Sequence, residues 1–375
     1  MVKTAELFIS FLIKRQMRNK YKVNMKIKDK HTFGNTGIQV PPMIFGTSAL
    51  GNLYQAHPFE RKLAIMEKWF ECVEPPVVID TAGKYGAGLA LETIGRGLEE
   101  LNVSPDDIII SNKVGWYRVP LKGPEPTFEK DVWVNIGHDA EHRFGYDGVL
   151  DCWQQGNALL GDKYRVGLVS LHDPDEFIHQ AGDEQERREL TDQVIHSYQA
   201  LFELKEKGEV LAVGIGAKDW QIIKNLYDQL KFDWVMMANS FTIMSHPPEV
   251  IRFLDRLHAD GVGIVNSAVF HSGFLTGGEF YDYRRVDPAS EEGRKIYPWR
   301  EQFNRIATRH GVAPADACIH FGLSHPAVTS IALNTSKPEK IDRNAELLTR
   351  EFPSSFWHEM KEDRKSTRLN SSHYP

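Results

Sequence analysis

An apolar run that ends in a carboxylate occurs at Val77-Val78-Ile79-Asp80, and Thr81-Ala82-Gly83-Lys84-Tyr85-Gly86 follows it directly. The run is short and rich in β-branched residues, which is typical of a buried strand. A carboxylate at the end of such a strand lies at the mouth of a sheet. Taken alone, the segment fits a strand with a polar turn and a catalytic site equally well.

Seven further short apolar runs also read as buried strands, and each is followed by a segment with helical periodicity. They lie at 43–47, 108–113, 166–172, 210–216, 234–239, 262–267 and 328–333. Apolar strands that alternate with amphipathic helices are typical of a parallel sheet covered by helices. The eight units predict an α/β protein with a (β/α)8 TIM barrel. The alternative is an open doubly wound sheet, but no Gly-x-Gly-x-x-Gly follows the first strand.

The remaining segments predict what surrounds the barrel. Residues 26–40 contain the turn Gly34-Asn35-Thr36-Gly37 between two extended pieces, which predicts an N-terminal β-hairpin. Long insertions at 116–149 and 276–298 both follow strands. We therefore expect both long βα loops to stand over the C-terminal face of the barrel.

The two ends of the chain differ from the rest in composition. Residues 1–24 carry six Lys or Arg and a single acid, and the last dozen residues show no apolar period. We expect a disordered extension at 1–24, one barrel domain at 25–350, and a disordered tail at 351–375.

Composition excludes several classes of function. The 375 residues carry a net charge of -6, which argues against a nucleic-acid partner. The longest apolar runs are too short for a transmembrane helix, so we expect no membrane partner. Cys72, Cys152 and Cys318 lie far apart, which favours a reducing, cytoplasmic setting. Nothing in the sequence decides the oligomeric state.

Four ionisable side chains fall at the ends of neighbouring predicted strands. Asp80 and Tyr85 follow the second strand, Lys113 ends the third, and His172 ends the fourth. In a barrel of this kind, chemistry gathers at the C-terminal strand ends. Each residue alone has a structural explanation, such as helix capping or packing. The four together favour a catalytic site.

This set of side chains is suited to acid–base chemistry on a tyrosine. An unperturbed phenol has a pKa of about 10, and a nearby ammonium favours its anion. We expect Lys113 to lower the pKa of Tyr85, and Asp80 to keep Lys113 charged. His172 is expected to orient a carbonyl or hydroxyl oxygen. The histidines lack the spacing of metal ligands, so no metal site is predicted.

The chain resembles the aldo-keto reductase superfamily over roughly residues 26–348. The resemblance rests on Asp80-Thr81-Ala82-x-x-Tyr85-Gly86, Ser111-Asn112-Lys113-Val114-Gly115 and Leu171-His172-Asp173. Together with Phe270-His271-Ser272-Gly273, these motifs are most similar to the D-threo-aldose (L-fucose, galactose) 1-dehydrogenase branch.

The resemblance implies hydride transfer between a nicotinamide and a carbonyl or alcohol carbon, with Tyr85 as general acid or base. It implies cofactor contacts at Phe270, Ser272, Gly273, Leu275, Thr335, Ser336, Lys340 and Asn344. Lys340 could pair with the 2′-phosphate of NADP, but the basic cluster is otherwise thin. Of NAD and NADP, NAD is therefore slightly favoured.

Four positions depart from the family pattern where the nicotinamide would lie. Gly216-Ala217 replaces the Ser-Asn pair that often follows strand five, and Ala238 stands where a glutamine is common. Ser267 stands near the position of a stacking tyrosine. The four catalytic residues themselves match.

The substrate is expected to be a small-molecule carbonyl compound or a sugar, such as L-fucose or D-galactose. Tyr54 and Trp116 are expected to form an aromatic rim for its apolar face, whereas Trp133 and Trp153 are expected to anchor loops or core. One alternative is a cofactor-binding regulatory homologue, similar to channel subunits, with little turnover. Another is a lyase or aldolase that uses Lys113 as a Schiff base.

Overall fold

The computed structural model describes residues 25–371, with side chains to residue 363. The predicted extension at 1–24 lies outside the described residues. None of the helices between residues 25 and 371 is long and apolar enough to cross a membrane.

Eight parallel strands close into a barrel in which each strand pairs with its neighbours in chain order. The strands are β1 Met43–Gly46, β2 Val77–Ala82, β3 Ile108–Val114, β4 Leu168–His172, β5 Ala212–Ala217, β6 Trp234–Ala238, β7 Gly263–Ser267 and β8 Ser330–Leu333. The barrel closes where β8 pairs with β1, with Ile331 opposite Met43. The predicted (β/α)8 barrel is confirmed.

Helices follow each strand and cover the outside of the barrel. They are α1 Phe59–Cys72, α2 Leu89–Glu100, α3 Tyr146–Leu160, α4 Pro174–Ile178, α5 Glu184–Glu206, α6 Trp220–Leu230, α7 Pro248–Ala259, α8 Gly293–Arg309, α9 Pro314–Gly322, α10 Glu339–Leu347 and α11 Ser354–Ser371. Strand β2 is buried along its whole length, because α1 and α2 cover its outer face and the barrel interior its inner face. Strands buried on both faces explain the near-continuous apolar runs in the sequence.

The predicted N-terminal hairpin is present and closes the bottom of the barrel. His31–Thr32 pairs with Gln39–Val40 in an antiparallel ladder. Phe33 lies beside Trp234 and occupies the space where a side chain on Gly263 would lie, 2.5 Å from the ideal Cβ position. Trp234 and Gly263 begin β6 and β7, so the hairpin seals the end opposite the predicted site.

Both long insertions contain their own two-stranded sheets. Trp116–Pro120 pairs with His138–His142, and Phe280–Tyr281 pairs with Arg284–Arg285. The second insertion ends at Gly293 rather than at Pro298. Its helix begins early because Ser290 Oγ accepts a hydrogen bond from the backbone N–H of Gly293 at 2.9 Å.

The expected disordered tail is wrong for residues 354–363, which belong to α11. Phe356 and Trp357 are buried in the core, and Glu359 accepts from Nε2 of His310, the residue after α8, at 2.7 Å. These two aromatic residues, three and four positions after Pro353, pack the helix against the core, although the polar residues beyond them gave no apolar period.

Candidate active site

The four predicted catalytic side chains meet in one cavity at the C-terminal end of the barrel. The cavity has a volume of about 470 Å³, and Asp80, Tyr85, Lys113 and His172 all line it. Parallel register brings them together, because β2 pairs with β3 and β3 pairs with β4. Strand ends thus place three side chains, and the loop after β2 supplies Tyr85.

Lys113 and Asp80 form a buried ion pair, each with 2% of its surface exposed. The Lys113 ammonium donates to Asp80 Oδ2 and to the backbone carbonyl of Thr81 at 3.2 Å. Ser111 Oγ donates to the other carboxylate oxygen at 3.3 Å. Gly216 makes room for this lysine, because a Cβ at position 216 would lie 2.8 Å from Lys113 Cδ.

The position of Tyr85 is fixed by close backbone packing. Gly51 faces the Tyr85 carbonyl group so closely that a Cβ at position 51 would lie 2.7 Å from it. Gly86 has a φ of 63° and faces Gly51 in turn. The phenol ring lies between two of the other predicted catalytic side chains. Lys113 Nζ lies 4.8 Å from the ring centroid, and the His172 ring meets it edge-on at 5.5 Å.

The expected lowering of the Tyr85 pKa by Lys113 does not hold in this structure. Burial raises the pKa of Tyr85 well above 10, and the negative charges of Asp80 and Asp173 raise it further. The physical reason is that the Lys113 ammonium is already neutralised by its contact with Asp80. The phenol is therefore protonated at neutral pH, which is the form that can donate a proton.

His172 is uncharged at neutral pH. Burial lowers its pKa well below 6.5, although the nearby carboxylate of Asp173 opposes the shift. Its Nε2 lies 3.6 Å from Asp173 Oδ2, and its Nδ1 has no partner among the described residues. A neutral imidazole with an unpartnered buried nitrogen can orient an oxygen of a bound molecule.

A second group of charged side chains lies beside the four, and sequence reasoning missed it. We call Lys84, Glu129, Asp173, Glu176 and Lys218 the ion cluster. Lys84 Nζ contacts Glu129 at 2.7 Å, Glu176 at 2.9 Å and Asp173 at 3.2 Å. Lys218 Nζ contacts Asp173 at 3.1 Å and also contacts Glu176. Lys84, Glu129, Asp173 and Lys218 line the cavity.

Part of the ion cluster could have been found from the sequence. Lys218 directly follows β5, and Asp173 directly follows β4, so the strand-end argument applies to both. Lys84 adjoins Tyr85. Glu129 belongs to the first long insertion, where Trp133 Nε1 donates to its Oε2 at 2.7 Å. The sequence predicted that this insertion stands over the C-terminal face, but no periodicity indicated which of its residues reach the cavity.

The cavity extends from the catalytic residues to the loop after β8. Seven of the predicted cofactor residues line it, namely Phe270, Ser272, Gly273, Thr335, Ser336, Lys340 and Asn344. Leu275 does not, because its side chain is fully buried in the core. Lys337 and Arg343 line the same end, and Asp316 pairs with Arg343 at 2.9 Å.

The two predicted substrate residues have different positions. Tyr54 lines the cavity and stacks on Phe280 of the second insertion, with ring centroids 4.3 Å apart. Trp116 does not line the cavity, since it is buried behind Lys84, whose ammonium lies 4.8 Å from its ring. Trp133 lines the cavity instead, although it was expected to be an anchor. The sequence did not indicate which of the two tryptophans lines the cavity, because the insertion folds back on itself.

Known proteins show the same architecture and a shared sequence pattern. The chain is 26% identical to pyridoxal 4-dehydrogenase from Microbacterium luteolum, over 91% of this chain and 99% of that protein. It is 27% identical to D-threo-aldose 1-dehydrogenase from a Pseudomonas species, over 88% and 95%. The holo form of an aldo-keto reductase from Bacillus halodurans superposes with a TM-score of 0.63 at 18% identity, covering 91% and 96%. Residues 42–364 match the family model of the aldo/keto reductases, and the chain therefore belongs to the aldo/keto reductase family.

Proposed function

We propose that this oxidoreductase is an NAD(P)-dependent dehydrogenase or reductase that acts at the carbonyl or hemiacetal carbon of an aldose or a small aldehyde. The observation that carries the proposal is the convergence of Tyr85, the Lys113–Asp80 pair and neutral His172 at one end of a single cavity. This is the arrangement required to donate a proton to a carbonyl oxygen while that oxygen is held in place.

The residues at the other end of the cavity fit a nicotinamide dinucleotide. Ser272 and Gly273 border the middle of the cavity, and Lys340 and Asn344 border its far end. The exposed ammonium of Lys340 suits the phosphate groups of such a cofactor. The cofactor, when bound, supplies the hydride chemistry. NAD remains slightly favoured over NADP, because Asp316 already neutralises Arg343.

The chain's own groups account for the proton. Tyr85 holds its proton at neutral pH and faces the position where the substrate oxygen would lie between it and His172. In reduction, Tyr85 Oη donates this proton to the carbonyl oxygen, and the resulting phenolate takes up a proton from water. In oxidation, Tyr85 first releases its proton to water, and the phenolate then accepts the proton of the substrate hydroxyl group. His172 accepts or donates a single hydrogen bond to the same oxygen, which fixes its position.

A sugar is the favoured substrate class. Tyr54 and Trp133 offer aromatic surface on the cavity wall, and Glu129 and Asp173 offer carboxylate oxygens close to them. Aromatic faces and hydrogen-bond acceptors are the groups that carbohydrates contact. The similarity to D-threo-aldose 1-dehydrogenase supports L-fucose and D-galactose as first substrates to test. We also propose a cytoplasmic location, because all three cysteines are free and buried.

The test follows nicotinamide absorbance with L-fucose, D-galactose and glyceraldehyde. We expect turnover, and we expect Tyr85→Phe to lower kcat by about 10²- to 10⁴-fold with nucleotide binding unchanged. Tyr117→Phe is the matched control, since Tyr117 lies on the first insertion outside the cavity. Full turnover in Tyr85→Phe would exclude the proposed role of the phenol. Tight nucleotide binding without turnover on any carbonyl would instead favour the regulatory alternative.

A further inference from the structure

The ion cluster forms one wall of the cavity and is not required for the proton transfer described above. It combines two ammonium groups and three carboxylates, all within reach of one another. We propose that this wall restricts the enzyme to uncharged polyhydroxy carbonyl substrates and rejects those with a carboxylate or a phosphate. The inference rests on the proposed function, because it specifies the substrate class of the same site.

The balance of charge at this wall is negative. Lys84 and Lys218 carry two positive charges, and Glu129, Asp173 and Glu176 carry three negative ones. The adjacent Lys113–Asp80 pair adds no net charge. Although burial opposes it, Lys218, His172 and Lys84 hold the pKa of Asp173 well below its ordinary value. An anionic substrate group would therefore meet a cluster that is negative as a whole, and no net positive charge from the four members that line the cavity.

The ammonium groups have little capacity left for a substrate anion. Lys84 has three N–H donors and three carboxylate partners, and only 2% of its surface is exposed. Lys218 has two carboxylate partners, and its ammonium lies 5.0 Å from the centroid of the Tyr283 ring, which covers it. Lys84 cannot turn toward a phosphate without leaving a buried carboxylate, which is costly, and Lys218 has only one N–H that no carboxylate accepts.

The hydrogen-bonding positions that remain free at this wall are mostly acceptors. A carboxylate can accept about four hydrogen bonds. Glu129 accepts from Lys84 and Trp133 and is partly exposed to the cavity. Hydroxyl groups of a sugar are donors that such oxygens can bind. The wall is therefore suited to neutral polyols for the same reason that it is unsuited to anions.

The opposite end of the cavity has the reverse character. Lys337, Lys340 and Arg343 line it, with Asp316 as the carboxylate among them. This end suits the phosphates of a dinucleotide. One cavity thus separates a cationic half for the anionic cofactor from a half that accepts neutral hydroxyls, and a small anion would be drawn away from the catalytic residues.

The experiment compares sugars that are identical at the reacting carbon. D-Galactose, D-galacturonate and D-galactose 6-phosphate differ only at carbon 6. We expect kcat/KM to be at least about 50-fold lower for both anions than for D-galactose. Equal values for the neutral and anionic sugars would overturn the inference and leave the proposed dehydrogenase activity intact.

A charge-removing variant tests whether the ion cluster causes the discrimination. Glu129→Gln keeps the shape and the Trp133 contact but removes one negative charge from the wall. We expect it to narrow the ratio of kcat/KM between D-galactose and D-galacturonate by about 5- to 10-fold. Glu125→Gln is the matched control, because Glu125 is exposed on the same insertion and does not line the cavity. An equal effect of both variants would show that the cluster is not responsible.

A binding measurement separates this inference from the proposed function. If no sugar is oxidised, calorimetric titration of D-galactose and D-galacturonate into the chain with bound NAD or NADP still compares the two. Weaker binding of the uronate, restored in Glu129→Gln, supports the inference even without turnover. Binding of the uronate as tight as that of D-galactose, or no binding of D-galactose, overturns it.

Discussion

Lys113 and Lys84 are two buried ammonium groups at the same mouth of the barrel, and they are held in different ways. Lys113 has a single carboxylate partner, Asp80, on the neighbouring strand. Lys84 has three carboxylate partners, supplied by the first insertion and by the segment after β4. Both lysines have 2% of their surface exposed, so burial alone does not distinguish them.

The difference in partners indicates a difference in role. Lys113, whose single carboxylate partner lies on a strand, keeps a fixed position beside the Tyr85 ring, which suits a group that supports proton transfer. A lysine with three carboxylates joins loops that are far apart in sequence, which suits a group that holds the cavity wall together. Activity and stability should therefore respond differently when each ammonium is removed.

The largest expected effect is on turnover in Lys113→Met. We expect kcat to fall by about 10³-fold, or roughly 4 kcal/mol, because the phenolate that forms when Tyr85 gives up its proton loses the ammonium 4.8 Å from its ring. The cost in stability should be smaller. Burial already raises the pKa of Asp80, so the carboxyl left behind can take up a proton. Steady-state kinetics and urea unfolding measure the two effects, and nucleotide titration confirms an intact cofactor site.

The opposite pattern is expected for Lys84→Met. Glu129 would lose its ammonium partner, and Asp173 and Glu176 would keep only Lys218, so we expect the free energy of unfolding to fall by about 3 kcal/mol. The value of kcat for a neutral sugar should change by less than about 10-fold. Lys122→Met is the control, because Lys122 is exposed on the same insertion. If Lys84→Met lost turnover and kept its stability, the two lysines would have been assigned to the wrong roles.

The same contrast explains what the sequence could predict. Lys113, Asp80 and His172 lie on strands, where an apolar run fixes which residue comes last and parallel pairing brings the ends together. The barrel and the four catalytic positions were therefore accessible from periodicity and spacing. The direction of the Tyr85 pKa shift could not be predicted from spacing, because it depends on burial and on the charge of Asp173.

The ion cluster was harder to predict because four of its five members lie outside strands and helices. Glu129 has a φ of 42° and Asp173 has a φ of 48°, so local turns rather than strands or helices aim their side chains. Tyr283, with a φ of 67°, lies at the turn of the second insertion and reaches Lys218 from the far side of the cavity. Periodic patterns carry no information about such turns. For the same reason, Trp116 was predicted at the rim of the cavity where the structure has Trp133.

A smaller effect is expected from Asp175, which should make the free energy of unfolding depend on pH. Asp175 is 3% exposed, and its Oδ2 accepts from the backbone N–H groups of Lys218 at 3.0 Å and Asp219 at 2.7 Å. Burial, followed by the charge of Asp173, raises the pKa of Asp175 from 3.8 to about 6. The folded protein therefore holds a proton on Asp175 up to a higher pH than the unfolded chain does.

The sign of the effect follows from this raised value. Below pH 3.8 the carboxyl is protonated in both states, and its contribution to stability is fully present. As the pH rises through 6, the unfolded chain ionises first, so wild-type stability falls by about 3 kcal/mol from this group, about 2 kcal/mol of it between pH 4.5 and pH 7. Asp175→Asn can still accept both backbone bonds and should lack this slope. Urea unfolding at pH 4.5 and pH 7 measures it, and a variant-to-wild-type difference equal at both values would contradict the assignment.

The smallest expected effect lies at the opposite end of the cavity, where the charges are exposed rather than buried. Lys340 is exposed, and among the described residues no carboxylate pairs with it. An exposed ion pair contributes about 1 kcal/mol or less, so Lys340→Met should weaken NADP binding by about 5-fold and NAD binding by less than 2-fold. Lys295→Met, on the outer face of α8 and paired with Glu291, is the matched control. Fluorescence titration with both nucleotides gives the dissociation constants. The effect must shrink as salt is added, because screening acts on exposed charges. A loss of NADP binding that salt leaves unchanged would mean that Lys340, like Lys84, belongs to a buried set of charges, and the contrast between the two ends of the cavity would be wrong.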